Sequence, residues 1–193
     1  MKRSLLVGLA LCAFISRPHA TTVRPFTFAQ LVAESATIIR GEVTAVRSGW
    51  RDGSRDSPIV TTVSIRVTQT LKGEPRPDVE LEFLGGSVGD RTLTVSDMPK
   101  FGVGDRDFLF LSITGRSLSP LVGFFVGRWP IHRDILTGRE FVTTSDGRPL
   151  SDAANILAVP AARLSDMTAH ALTATMSVAD VDALITARVQ AGR

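Results

Sequence analysis

The stretch "FLGGSVGDRTLTV", residues 83–95, decides the fold. Read one way, Gly85-x-Ser87-x-Gly89 is the nucleophile elbow of a serine hydrolase, a strand turning sharply into a helix within a parallel α/β sheet. Read another way, the glycines form a turn between two antiparallel strands. The residues after the turn separate the two. Leu93 and Val95 alternate with polar neighbours, a period of two that predicts a strand where an elbow requires a helix. A phosphate cradle meets the same objection, because Walker-type and dinucleotide loops both open a helix. The glycines are therefore expected to supply positive φ at a turn or bulge and to let another backbone come close.

The same period runs outward from this turn. In "TIIRGEVTAVRS", Ile39, Gly41, Val43 and Ala45 alternate with Arg40, Glu42 and Thr44. In "TTVSIRVTQTLKG", Val63, Ile65 and Val67 alternate with Thr62, Ser64, Arg66 and Thr68. In "DVELEFLGG", Val79, Leu81 and Phe83 alternate with Glu80 and Glu82. Each predicts a strand with one wet face. Further strands are predicted over residues 92–95, 107–113, 121–129 and 140–144, with Trp129-Pro130 read as a break. The intervening Asp52-Gly53, Lys72-Gly73, Gly85-Gly86 and Asp146-Gly147 are turn signals. The expected fold is mainly β, an antiparallel OB-like barrel; a parallel α/β architecture is the runner-up.

Helices are predicted at both ends. Thr27-Phe28-Ala29-Gln30 is a capping box, with Phe26 and Leu31 placed as a hydrophobic staple, opening a helix over residues 28–35 that turns Phe28, Leu31 and Val32 inward. After residue 150 the chain becomes Ala-rich and helix-prone. Ser177-Val178-Ala179-Asp180 starts a terminal helix whose stripe of Val178, Val181, Leu184, Ile185 and Val189 either packs on the barrel or docks a partner. The expected organisation is a signal segment at 1–20, a β-barrel domain at 21–150 and a helical C-terminal extension at 151–193.

"MKRSLLVGLALCAFISRPHA" has the layout of a secretory signal peptide: basic Lys2 and Arg3, an apolar run, and a small-residue end. The protein is thus expected to be exported, periplasmic or extracellular, with no transmembrane segment after cleavage. Cys12 lies inside the apolar run and follows Leu11, unlike a lipobox. Removing Lys2, Arg3 and Arg17 leaves 19 basic residues of 22 against 19 acidic ones, so the net charge falls from +3 to zero. A nucleic-acid partner, which requires a net or clustered positive field, is not expected. The remaining 173 residues (193 less 20) contain no cysteine, which excludes disulfides and thiolate chemistry and leaves stability to the core.

Catalytic residue types are sparse. His132, in "PIHRDI", and His170 are the candidate bases, so the enzymatic alternative is a serine hydrolase pairing Ser87 with His132. Asp90, Asp97, Asp105 and Asp107 cluster in sequence without calcium-loop spacing and read as solvated turn acids. Neither cofactor nor metal is predicted.

Taken in order, "SATIIRGEV", "LKG", Gly85-Gly86 and "FGVGDRDFLFL" resemble the scheme of a group of exported bacterial proteins of unknown function, over residues 28–128. The order is more distantly similar to the netrin-like OB barrel of tissue metalloproteinase inhibitors. That resemblance implies a five-stranded barrel and a protein-binding role. The inhibitors' N-terminal cysteine has no counterpart here, so their zinc-chelating mechanism is not implied.

The expected function is accordingly a non-enzymatic exported module binding a protein or an envelope component. Trp50, in the polar "SGWRDGSRDSP", is either a lid over the barrel end or part of a recognition surface. The surface expected comprises Trp50, Arg51 and Arg55 beside the Gly85-Gly86 turn.

Overall fold

A computed structural model describes residues 27–112, 118–151 and 175–192. The expected signal segment at 1–20, with Cys12, and also Phe26, His170 and most of the Ala-rich run lie outside them.

Helix α1 (Phe28–Glu34) begins with the capping box its sequence predicts. Gln30 N donates to Thr27 Oγ1 at 3.2 Å and Thr27 N to Gln30 Oε1 at 3.0 Å. Seven residues are too few for a stable isolated helix, so packing holds it. Phe28, Leu31 and Val32 are buried, and Lys72 Nζ donates to the Val32 carbonyl at 2.8 Å, placing a cation at the helix C-terminus.

Strands β1 (Thr37–Trp50) and β2 (Ile59–Lys72) form a long antiparallel ribbon whose register shifts at three points. Such bulges bend the ribbon and increase its twist. Strand β3 (Asp78–Leu84) pairs with β2; a small hairpin, β4 (Gly86–Val88) and β5 (Arg91–Leu93), follows. Strands β6 (Arg106–Leu111), β7 (Arg128–Arg133) and β8 (Glu140–Val142) complete a six-stranded sheet in the order β3-β2-β1-β6-β7-β8. The architecture is therefore mainly β and antiparallel. Among the described residues the sheet is open, with β3 and β8 at its edges, so the expected barrel closure is not seen. A backbone hydrogen bond from Leu84 N to Leu118 O, 3.0 Å, links the end of β3 to the segment beside β6.

Two apolar cores lie on opposite faces. One gathers Ile39, Val43, Val63, Ile65, Leu81, Phe83, Leu109 and Leu111. The other gathers Ile38, Phe108, Phe110 and Trp129 with α1 and helix α2 (Val178–Ala191). Strand β6 is thus buried on both faces, unlike a strand with one wet face, and this explains the unbroken apolar run "FLFL". Helix α2 starts at a capping box of Ser177 and Asp180 and buries Val178, Val181, Ile185 and Val189. Of the two readings of its stripe, the described residues show the packed one.

Two further expectations are corrected. The strand predicted over 121–129 is a single bridge at Leu121 followed by turns, with Phe124 at φ +70°, and β7 starts only at Arg128. Trp129-Pro130 is not a break. Pro130 is the last residue in register with β6, and from Ile131 onward β7 pairs with β8. The missing N–H thus falls where the strand changes partner.

Candidate functional site: the cleft beneath the β4–β5 hairpin

The stretch over residues 83–95 folds as strand, turn, strand. Ser87 pairs with Thr92 across the β4–β5 hairpin, and their hydroxyls are 2.8 Å apart. No helix follows Ser87, so the nucleophile-elbow geometry is not formed. The hairpin is seated on the sheet instead. Gly85 N donates to Ile59 O at 2.8 Å and Thr61 Oγ1 donates to Gly85 O at 2.7 Å. Gly86 lies so close to the ribbon that a Cβ would stand 2.5 Å from both Ser48 Oγ and Thr61 Oγ1, and its φ of +132° is one that side-chain-bearing residues avoid. The glycine pair is needed both for the turn and for the close approach.

Beneath this hairpin is a cleft of about 490 Å³. Its floor is Val63 and Phe83, its far wall is the segment carrying Val95, Met98 and Phe101, and its polar rim includes Ser48, Thr61, Ser87 and Lys100. An apolar interior with a few placed polar groups is the usual composition of a ligand site.

Arg128 holds the far wall. Its guanidinium donates from Nε to Asp107 Oδ1 at 2.8 Å, from Nη2 to Asp105 Oδ2 at 2.8 Å, and from Nη1 to the Lys100 carbonyl. Its Cζ sits 4.1 Å above the centre of the Phe101 ring, and Phe101 packs on Phe83 at 5.0 Å. The segment is also paired to β1, with Val43 N donating to Asp105 O and Gly104 N to Val43 O, each 2.8 Å. Asp107 is only 1% exposed, so it is not the solvated turn acid expected from sequence. Burial raises its carboxyl above the ordinary range, against the partly compensating charge and hydrogen bonds of Arg128.

The sequence-predicted site residues divide. Gly85 and Gly86 line the cleft. Trp50 is half-buried as the last residue of β1 rather than lying in the connection, and it stands opposite Ile59, whose carbonyl takes the Gly85 N–H. Arg51 Nε reaches Glu82 Oε1 at 2.8 Å, and Arg55 is exposed in the β1–β2 turn. None of these three lines the cleft. His132 belongs elsewhere: its Nε2 is 3.0 Å from Thr143 Oγ1 and its ring stacks on Phe141 at 5.4 Å. Burial, then the charge of Arg128, lower its pKa, which keeps the ring neutral. Ser87 and His132 are each committed to a different threonine. Among the described residues no group of three or more His, Cys, Asp or Glu is placed to hold a metal, and no helix is long and apolar enough to cross a membrane.

Sequence reasoning did not single out Arg128, Lys100, Met98 or Phe101. The available signal was the pair of aspartates two residues apart in "GDRD", which share one face of a strand and thus one cation.

Compared with known proteins, the chain matches no family model, no curated protein and no solved structure.

Proposed function

We propose that the protein is an exported, non-enzymatic binding module that recognises a protein or cell-envelope component through the β4–β5 hairpin and the cleft beneath it. The observation carrying this reading is the seating of Gly86 against Ser48 and Thr61, which fixes the hairpin as the roof of an apolar cleft. The polar groups at the rim are largely paired with one another: Ser48 with Thr61, and Ser87 with Thr92. Such paired hydroxyls suit recognition better than bond-breaking, and His132 is engaged with Thr143 instead of Ser87. The export signal and the resemblance to netrin-like barrels belong to the same proposal. An OB-like reading of the sheet is supported by β1, which is long and bulged, pairs with β2 throughout, and pairs with β6 over its first half.

Photo-crosslinking in the native host tests the reading. A crosslinker at Thr94, beside the cleft, and one at Arg55, in the β1–β2 turn, are compared with one at Arg76, exposed in the β2–β3 turn. Capture of one shared component at Thr94 but not at Arg76 is expected; capture at Arg55 as well would include the Trp50 end in the surface. Equal capture at all three positions would overturn the proposal. So would fluorophosphonate labelling of the wild type that disappears in Ser87→Ala.

A further inference from the structure

Among the described residues that line the cleft beneath the β4–β5 hairpin, Lys100 is the one with a charged side chain. It is exposed at the rim and has no ion pair among the described residues. The Arg128 guanidinium behind the wall adds little net field, because Asp105 and Asp107 take its charge. Arg128 instead holds the Lys100 carbonyl, so the backbone that carries the free ammonium is fixed at the cleft wall. Asp90, Arg91 and Asp97 are exposed and lie outside the lining. Asp90 adjoins Arg91, and water screens Asp97 from a ligand inside the cleft.

The hydroxyls at the rim favour the same sign of ligand. Thr61 Oγ1 donates to the Gly85 carbonyl at 2.7 Å, so in the 3.0 Å contact of Ser48 with Thr61 the proton is that of Ser48. Both protons are used in seating the hairpin. In the Ser87–Thr92 pair, 2.8 Å apart, one hydroxyl donates and the other keeps its proton. The cleft thus offers a head group an ammonium and a hydroxyl donor, and no lining carboxylate that would receive a cation. Behind them the interior is apolar, with Val63, Phe83, Val95, Met98 and Phe101. An ionised carboxylate only accepts hydrogen bonds, and an alkyl chain attached to it gains by leaving water for such an interior.

We propose that the cleft takes a single-chain amphiphile of the fatty-acid type, with its carboxylate at Lys100 and its alkyl chain against Phe83, Met98 and Phe101. The assignment rests on the cleft as the recognition site and names the chemistry of the envelope component it takes. A volume of about 490 Å³ lies within the range that small ligands occupy.

Nuclear magnetic resonance of the full chain with isotope-labelled methionine methyl groups, titrated with sodium decanoate, tests the assignment. The Met98 methyl should shift saturably, while that of Met176, packed against the opposite core, stays in place. Decanol should bind about fivefold more weakly than decanoate, the contribution of one exposed ion pair. Lys100→Gln should weaken decanoate by the same factor and leave decanol unchanged, and Lys100→Arg should retain decanoate binding. The melting temperature of both variants should match wild type, because the side chain is exposed and Arg128 holds only the backbone carbonyl. Equal affinity for decanoate and decanol, or no effect of Lys100→Gln on decanoate, overturns the proposal. So does the absence of a saturable Met98 shift. Crosslinking at Thr94 then separates the two levels: a component captured there keeps the cleft as the recognition site with a ligand of other chemistry, whereas no capture removes the cleft as well.

Discussion

Arg128 and Asp107 meet through two hydrogen bonds, Nε to Oδ1 at 2.8 Å and Nη2 to Oδ2 at 3.2 Å, on neighbouring strands. Both side chains are nearly inaccessible, and the same guanidinium covers Phe101 at the wall of the cleft. Core, sheet and candidate site are therefore joined at one cation.

Arg128→Met should cost about 3–5 kcal/mol at neutral pH, because it leaves the Asp107 charge buried without its partner. The folded-state pKa of Asp107 already lies above its unfolded value. An acid of that kind contributes stability that is fully present below the unfolded pKa and is lost as pH rises through the folded one. Losing Arg128 raises the folded value further, so the deficit should shrink on acidification. Urea unfolding at neutral and mildly acidic pH measures it. A deficit that stays constant with pH would remove Asp107 from the explanation.

His132 predicts the opposite slope. Its folded pKa is depressed by burial and by Arg128, so its contribution is present above the unfolded value near 6.5 and lost as pH falls through the folded one. Wild type should lose melting temperature between neutral pH and pH ~5 relative to His132→Gln, which carries no titrating ring there. Calorimetry of the two proteins in parallel cancels the Asp107 term. Parallel curves would contradict the assignment.

Gly86→Ala should destabilise more than Gly89→Ala. Both glycines have positive φ, but a Cβ at Gly89 meets nothing within 4 Å, whereas at Gly86 it strikes Ser48 and Thr61 at 2.5 Å. Gly89→Ala should cost about 1 kcal/mol from backbone strain alone. Gly86→Ala should add a packing cost of about 1–3 kcal/mol and displace the hairpin from the ribbon. Chemical denaturation ranks the two, and equal costs would mean that the hairpin is not seated on β1 and β2.

Ile185→Ala should cost about 2–5 kcal/mol, as expected for truncating a fully buried aliphatic side chain. Leu184→Ala, one residue earlier and only partly buried, should cost clearly less. Thermal unfolding of both variants checks this. Equal small effects would make α2 an appendage rather than a wall of the core.

Several features are set locally and could be read from the chain. The Thr27–Gln30 and Ser177–Asp180 capping boxes depend on residues three apart, and both form as their letters predict. The period-two runs of β2 and β3 orient Val63, Ile65, Leu81 and Phe83 without long-range information. A strand rather than a helix after the glycines likewise followed from the alternation of Leu93 and Val95, although β5 covers Arg91–Leu93 and ends before Val95 instead of running over 92–95.

Other features depend on neighbours remote in sequence, and only the tertiary structure decided them. Burial of β6 on both faces requires two helices from opposite ends of the chain to cover Phe108 and Phe110. Pro130 sits within a strand because β7 changes partner there. Asp107 is buried because Arg128, 21 residues away, supplies its counter-charge. The cleft exists because a hairpin after β3 lies on β1 and β2, which places Gly86 against Ser48 and Thr61 while Trp50 stays outside it. Hydrophobic period and capping act over three or four residues, whereas pairing order and charge compensation are properties of the assembled sheet.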